Sequence, residues 1–229
     1  MNHFGAAGGI AAGGTVFFQR FVKGICFDDD DAAQVILRQV GIQCNWWRKV
    51  GQITPDAVEQ QLTERNLLWH LSRYADRDPD EHDEEFGKHT PFVSTTAGAV
   101  ERDAAAGRNI PHPPFLTALR FATDDFTAIG YVFYGHLYTL GKQSIPLEAF
   151  AEEVRELHVY TAYLPYQLEG EITAKVHIPA HCISRCEKYD GVQAYAALAS
   201  GCDPTAIAAF TNVAYAEPLS YANVRGFIE

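Results

Sequence analysis

The stretch Tyr166–Ile183, YQLEGEITAKVHIPAHCI, decides how this chain reads. Glu169 and Glu171 stand one residue apart, ahead of a run that alternates like a β-strand. In a half-buried strand, residues i and i+2 lie on the same face. Two carboxylates side by side repel each other. A solvated strand edge tolerates such a pair because water screens it. A catalytic site would use it. The segments around this stretch have to choose between the two.

Working outward, Gly130–Leu140 (GYVFYGHLYTL) is aromatic and β-branched and reads as a central strand. Phe92–Thr96 (FVSTT) reads as a short strand ending in hydroxyls, and Leu67–Ser72 (LLWHLS) as an apolar strand enclosing His70. Helices are expected at Asp28–Ile42, where the aspartates complement the helix dipole, and from Pro55, with Thr54 as N-cap. Further helices are expected over Ala97–Gly107, Leu116–Asp125, Ile145–Glu156 and the alanine-rich Gln193–Phe210, broken at Gly201 and Pro204. HVYTAYL (158–164) and ITAKVHI (172–178) read as strands. Strands with interspersed helices indicate an α+β class.

Three polar landmarks lie on these elements: His70, then Ser94-Thr95-Thr96, then Glu169 and Glu171. Each has a plain reading, as a satisfied core histidine, a helix cap and a solvated edge. In this order they resemble the mono-ADP-ribosyltransferase family, which includes the cholera-type toxins. The segment EGEITAKVHIPAHCI matches that family's Glu-x-Glu motif, with Ile172, Thr173-Ala174, Ile178-Pro179 and Ile183 in place. Phe92-Val93-Ser94-Thr95-Thr96 matches its aromatic-Val-Ser-Thr-Ser/Thr element. The resemblance covers roughly Leu67–Tyr189. The first motif departs from the cholera type, which carries an arginine after a Leu-Tyr pair. Here Leu68-Trp69 is followed by His70, as in the histidine branch of the superfamily, and Arg73 stands three residues on.

The resemblance implies an α+β fold with a split mixed β-sheet core and flanking helices, while residues 1–60 match nothing in that family and read as a Gly-rich leader plus an extra N-terminal helical segment. It implies residues 61–229 as the catalytic domain, preceded by residues 1–60. It further implies NAD as co-substrate and transfer of ADP-ribose to an acceptor. Glu171 would stabilise the oxocarbenium-like charge at the nicotinamide ribose, Glu169 would engage the incoming nucleophile, and Ser94 would orient Glu171. His70 or Arg73, with Phe92, Thr95 and Thr96, would line the NAD site. A Glu at the Glu169 position points to an arginine acceptor in a protein, since a guanidinium pairs well with a carboxylate. A small-molecule or nucleic-acid acceptor, and an inhibitory or immunity partner, remain open. The register Gln167-x-Glu169 is disfavoured because the Ile-Pro spacing fits only with Glu171 second. An NAD glycohydrolase or an inactive binding relative are the alternatives, and a bacterial toxin or effector is the expected setting.

Composition narrows the partners. The 229 residues carry a net charge of −11 with no long basic stretch, which disfavours an electrostatic grip on nucleic acid. No apolar run reaches the roughly 18 residues of a membrane span. Five irregularly spaced cysteines suit a reducing compartment, so a cytoplasmic location, or delivery into a target cell's cytoplasm, is expected. Residues 1–14 are glycine- and alanine-rich and read as a loosely ordered leader. They lack the basic start of a classical signal peptide. His177, His181, Cys182 and Cys186 would suit zinc if helical, but a strand into Pro179 spoils that geometry, and no metal is expected.

Overall fold

The computed structural model of the protein describes residues 5–11, 14–72, 86–96, 113–140, 151–153, 171–217 and 224–225. The chain begins with strands β1 (Gly5–Ala11) and β2 (Gly14–Ile25). Helix α1 (Asp30–Val35) runs on into a π-helical turn over Ile36–Val40. Strand β3 (Ile42–Gln43) and helices α2 (Asn45–Val50), α3 (Pro55–Gln61) and α4 (Glu64–Ser72) follow. Next come β4 (Phe92–Thr96), α5 (Pro113–Ala122), β5 (Ile129–Leu140) and β6 (Ala151–Glu153). The remainder is β7 (Glu171–Lys175), β8 (His177–Ile178), β9 (Ile183–Asp190), α6 (Gly191–Ala199), β10 (Ala208–Thr211) and β11 (Val224–Arg225).

The class is α+β. The main sheet runs β10-β9-β5-β2-β4-β7-β6, with β1 and β11 on the side of β2, and β3 and β8 form a separate pair. The sheet expected to be mixed is antiparallel at every described pairing. The expected split is present at one seam. Strand β2 is paired with β5 continuously from Val16 to Ile25, yet it meets β4 only at Val22↔Thr96.

Helices cover both faces. Val22, Val132 and Tyr134 pack under Ala118, Leu119 and Ala122 of α5. Phe21, Tyr131, Phe133, Val93 and Ala174 pack with Leu37 and Val58 on the opposite face. This alternation along each strand is the period-2 signature of a sheet buried on both sides. Strand β5 lies in the sheet's interior between β9 and β2, and its Tyr131, Val132, Phe133 and Leu137 are fully buried.

Several expectations hold in detail. Asp29 caps α1 by accepting from the Asp31 and Ala32 N–H groups. Thr54 Oγ1 accepts the Ala57 N–H at 3.3 Å with Pro55 in the first turn. Other segments depart from expectation. The supposed leader, residues 1–14, contributes β1, and the segment that follows it forms β2, an interior strand. Residues 67–72 are helical: Thr63 Oγ1 accepts the Asn66 N–H at 3.1 Å and starts a new helix. Its buried Leu67 and His70 lie three residues apart, on one helical face. Ala151–Glu153 pairs with β7 and Ala208–Thr211 with β9, where helices were expected. Strand 172–178 is broken at Val176, whose φ of 63° is rare for a β-branched residue. The kink sends Lys175 to the main sheet and His177 to the small one. The segments 97–107 and 158–164 lie outside the described residues.

Asn212 clamps the lower layer. Its Nδ2 donates to the carbonyls of Leu37 (2.8 Å), Ala180 (2.8 Å) and Ile183 (2.9 Å), and its Oδ1 accepts from the Ala214 N–H. It is 4% exposed, so water cannot replace it. Asn212→Ala is expected to cost about 3 kcal/mol, the upper end for buried groups stripped of a partner. A urea titration would show this as a lower midpoint at unchanged slope; an unchanged midpoint would refute the clamp.

Candidate active site

The seam between β2 and β4 opens into a cleft of about 280 Å³. One wall is Val22–Cys26 of β2 and its continuation, and the other is Phe92–Thr96 of β4. Thr117, Ala118 and Phe121 of α5 close one end, and Ile42–Asn45 with Arg48 close the other. The cleft exists because the two strands share a single register pair and then diverge. Two glycines let α5 lie directly on the sheet beside it. A Cβ on Gly24 would sit 1.8 Å from the Ala118 carbonyl oxygen, and one on Gly130 would sit 1.7 Å from that of Ala122.

His70 enters the cleft from the last turn of α4. Its Nε2 is 2.9 Å from Ser94 Oγ on β4, and its Nδ1 is 2.9 Å from Thr90 Oγ1 just before that strand. The imidazole is 5% exposed and Ser94 half-buried. Both ring nitrogens are thus engaged by protein hydroxyls, and contact with a bound ribose would require one of these bonds to open. The Phe92 ring lies 5.6 Å from that of His70 and is 4% exposed, so it packs the histidine in place. Thr96 Oγ1 donates to the Val22 carbonyl at 3.2 Å and holds the seam shut at its one closed point. Thr95 occupies the opposite parity, with Val93, and is 2% exposed.

Strand β7 lies against β4 in the register Ser94↔Thr173 and Thr96↔Glu171. Ser94, Thr96, Thr173 and Glu171 therefore occupy same-face positions of adjacent strands. Glu171 is the first residue of β7, two register pairs along the ladder from the Ser94 pair. Glu169, Arg73 and Gln167 lie outside the described residues.

The cleft holds residues that the motifs did not mark. Lys23 and Arg48 bring cationic side chains to its walls, Thr90 sits at its base, and Cys26 and Cys44 face it from β2's end and from α2's cap. The sign that pointed to Lys23 was the β-branched and aromatic run VFFQRFV ahead of it. The adjoining glycines concealed it by suggesting a leader. Burial pushes the Cys44 thiol up to about 11, which makes it a poor nucleophile. Tyr134 donates to Glu187 at 2.8 Å under the Arg185 guanidinium, 3.7 Å from its ring centroid. Burial raises the Glu187 carboxyl, but hydrogen bonds from Arg185, Tyr134 and Tyr189 outweigh it and hold the group below its usual range.

Among the described residues no group of three or more His, Cys, Asp or Glu is placed to hold a metal ion. His177 is turned to the Val40 carbonyl at 2.7 Å, and Cys182 and Cys186 are buried and outside any disulfide. No helix among the described residues is long and apolar enough to cross a membrane.

No protein-family model and no curated protein matches the chain. Among solved structures it is similar to EcPltA, described as a pertussis-like toxin ADP-ribosyltransferase subunit, at 13% identity and a TM-score of 0.39, over 88% of each chain. At that TM-score the likeness bears on neither family nor activity.

Proposed function

We propose that the cleft between β2 and β4 binds NAD, and that the protein cleaves its nicotinamide–ribose bond and passes ADP-ribose to an acceptor, in the manner of a toxin or effector. The observation that carries this reading is the His70–Ser94 hydrogen bond at the split in the sheet, with the Glu171 backbone two register pairs along on β7. The adjacency of α4, β4 and β7 supports reading His70, Ser94 and Glu171 as parts of one site. A cleft of about 280 Å³ is just below the usual size of ligand pockets, roughly 300–1,000 Å³. It suits the nicotinamide end of NAD, with the adenosine end lying further out. Lys23 and Arg48 supply positive charge for the pyrophosphate.

In the reaction the C1′–N bond breaks and its electron pair leaves with nicotinamide. Positive charge develops on the ribose ring. A carboxylate fixed beside it stabilises that charge without reorganising; this is the role of Glu171. The acceptor nitrogen then bonds C1′ and loses a proton. Glu169 takes the acceptor, best a guanidinium, which pairs bidentately with a carboxylate. Arg73 is an alternative contact to the ribose in place of His70.

Incubation with NAD labelled in the adenylate half, in the presence of a cell lysate, tests the reading. Label carried on protein indicates transfer, free ADP-ribose indicates hydrolysis, and intact NAD would overturn both. Glu169→Ala is expected to lower transfer to an arginine acceptor by roughly 100-fold while hydrolysis changes less than about threefold. Transfer at the wild-type rate would remove Glu169 from the acceptor site.

A further inference from the structure

One buried imidazole is held by two hydroxyls. Thr90 Oγ1 is 2.9 Å from His70 Nδ1, and Ser94 Oγ is 2.9 Å from Nε2. His70 and Thr90 are 5% and 2% exposed. A threonine hydroxyl has one proton and two lone pairs. The Phe92 backbone N–H donates to Thr90 Oγ1 at 3.3 Å and occupies one of those lone pairs. The hydroxyl's own proton is then the natural link to Nδ1. An Nδ1 that accepts leaves a neutral imidazole with its proton on Nε2, which must donate to Ser94. Ser94 then accepts from the histidine, and its own O–H is directed onward.

The reverse order fails on the Thr90 proton. A proton on Nδ1 would fill the second lone pair of an oxygen that already accepts from Phe92, and the Thr90 O–H, 2% exposed, would then have no acceptor among the described residues. Ser94 is half-buried, so its hydroxyl can turn to accept from Nε2.

We infer that Thr90 is a positioning residue that fixes His70 as the Nε2–H tautomer and so makes Ser94 a hydrogen-bond donor toward an anionic group in the cleft. That group is Glu171 in the NAD reading, on which only this last link rests. Thr90 touches no substrate. It acts through His70 and Ser94, in the way a triad's third member orients its histidine.

The test uses the full chain with ¹⁵N-labelled histidine. Long-range ¹H–¹⁵N correlation spectra at pH 8 separate the two neutral tautomers, and the His70→Gln variant identifies the His70 signals. The wild type and Thr90→Ser are expected to show the Nε2–H pattern. Thr90→Val, which keeps shape and removes the hydroxyl, is expected to lose it. In the same variants kcat for nicotinamide release should fall roughly 100-fold in Thr90→Val, with KM for NAD within about threefold, and recover in Thr90→Ser. An Nδ1–H pattern in the wild type, or an unchanged pattern in Thr90→Val, overturns the inference. If Thr90→Val does not fold, the wild-type and Thr90→Ser spectra still decide it. If the wild type releases no nicotinamide, the NAD reading falls, while the tautomer alone decides the role of Thr90.

Discussion

Glu171→Gln is expected to lower nicotinamide release from NAD by roughly 10³-fold, with the fold intact. Glutamine keeps the size and the hydrogen-bonding reach of glutamate and removes only the charge. The loss therefore measures what the charge contributes at the transition state, about 4 kcal/mol for that ratio. Glu171 is the one motif carboxylate whose backbone position the structure describes, opposite Thr96 and two register pairs along the ladder from Ser94, at the first position of β7. Chromatographic assay of released nicotinamide reads the effect, and a urea titration checks the fold. A variant that retains activity within about threefold of the wild type would exclude Glu171 from the chemistry. A variant that loses activity together with its unfolding midpoint would assign it a structural role.

Gly130→Val is expected to destabilise the protein by at least about 3 kcal/mol, the top of the usual range for overpacking. The reason is geometric. The contact a Cβ would make at Gly130 is with the backbone carbonyl of Ala122, at 1.7 Å, and a backbone cannot move aside by changing rotamer. Helix α5 would have to lift from the sheet, and with it Ala118, Leu119 and Ala122, all at most 1% exposed. Against a net stability of about 5–15 kcal/mol, that is a large share. Because α5 also closes one end of the cleft through Thr117, Ala118 and Phe121, ligand binding should weaken along with stability. The midpoint of urea unfolding is the measurement. A midpoint equal to that of the wild type would mean that α5 does not rest on the strand as described.

The readable parts of the chain share a feature: their evidence is local. FVSTT, GYVFYGHLYTL and the Glu-x-Glu strand carry side-chain alternation that only a sheet uses, and each forms a strand. Thr54 and Asp29 announce helix starts because a cap satisfies backbone donors within three residues of itself. Short apolar runs are different. LLWHLS satisfies either period, and the Thr63 cap with the Leu67–His70 spacing settles it as helix. Ala208–Thr211 has high helix propensity, yet a free edge of β9 was available and backbone pairing outweighed propensity.

The motif residues and their order along the chain were determined by the sequence alone, as was the α+β class. Which strand stands at the other wall of the cleft was decided only by tertiary structure. Strand β2 lies among glycines that weaken it in isolation, and β5 supplies the ladder that holds it in the sheet's interior. The same holds for the site's working parts. No pattern in the sequence pairs Thr90 with His70 or divides β2 from β4 after one register pair. Both arise from long-range contacts, where His70 of α4 bonds Thr90 and Ser94 and α5 settles on β2, distant in the chain.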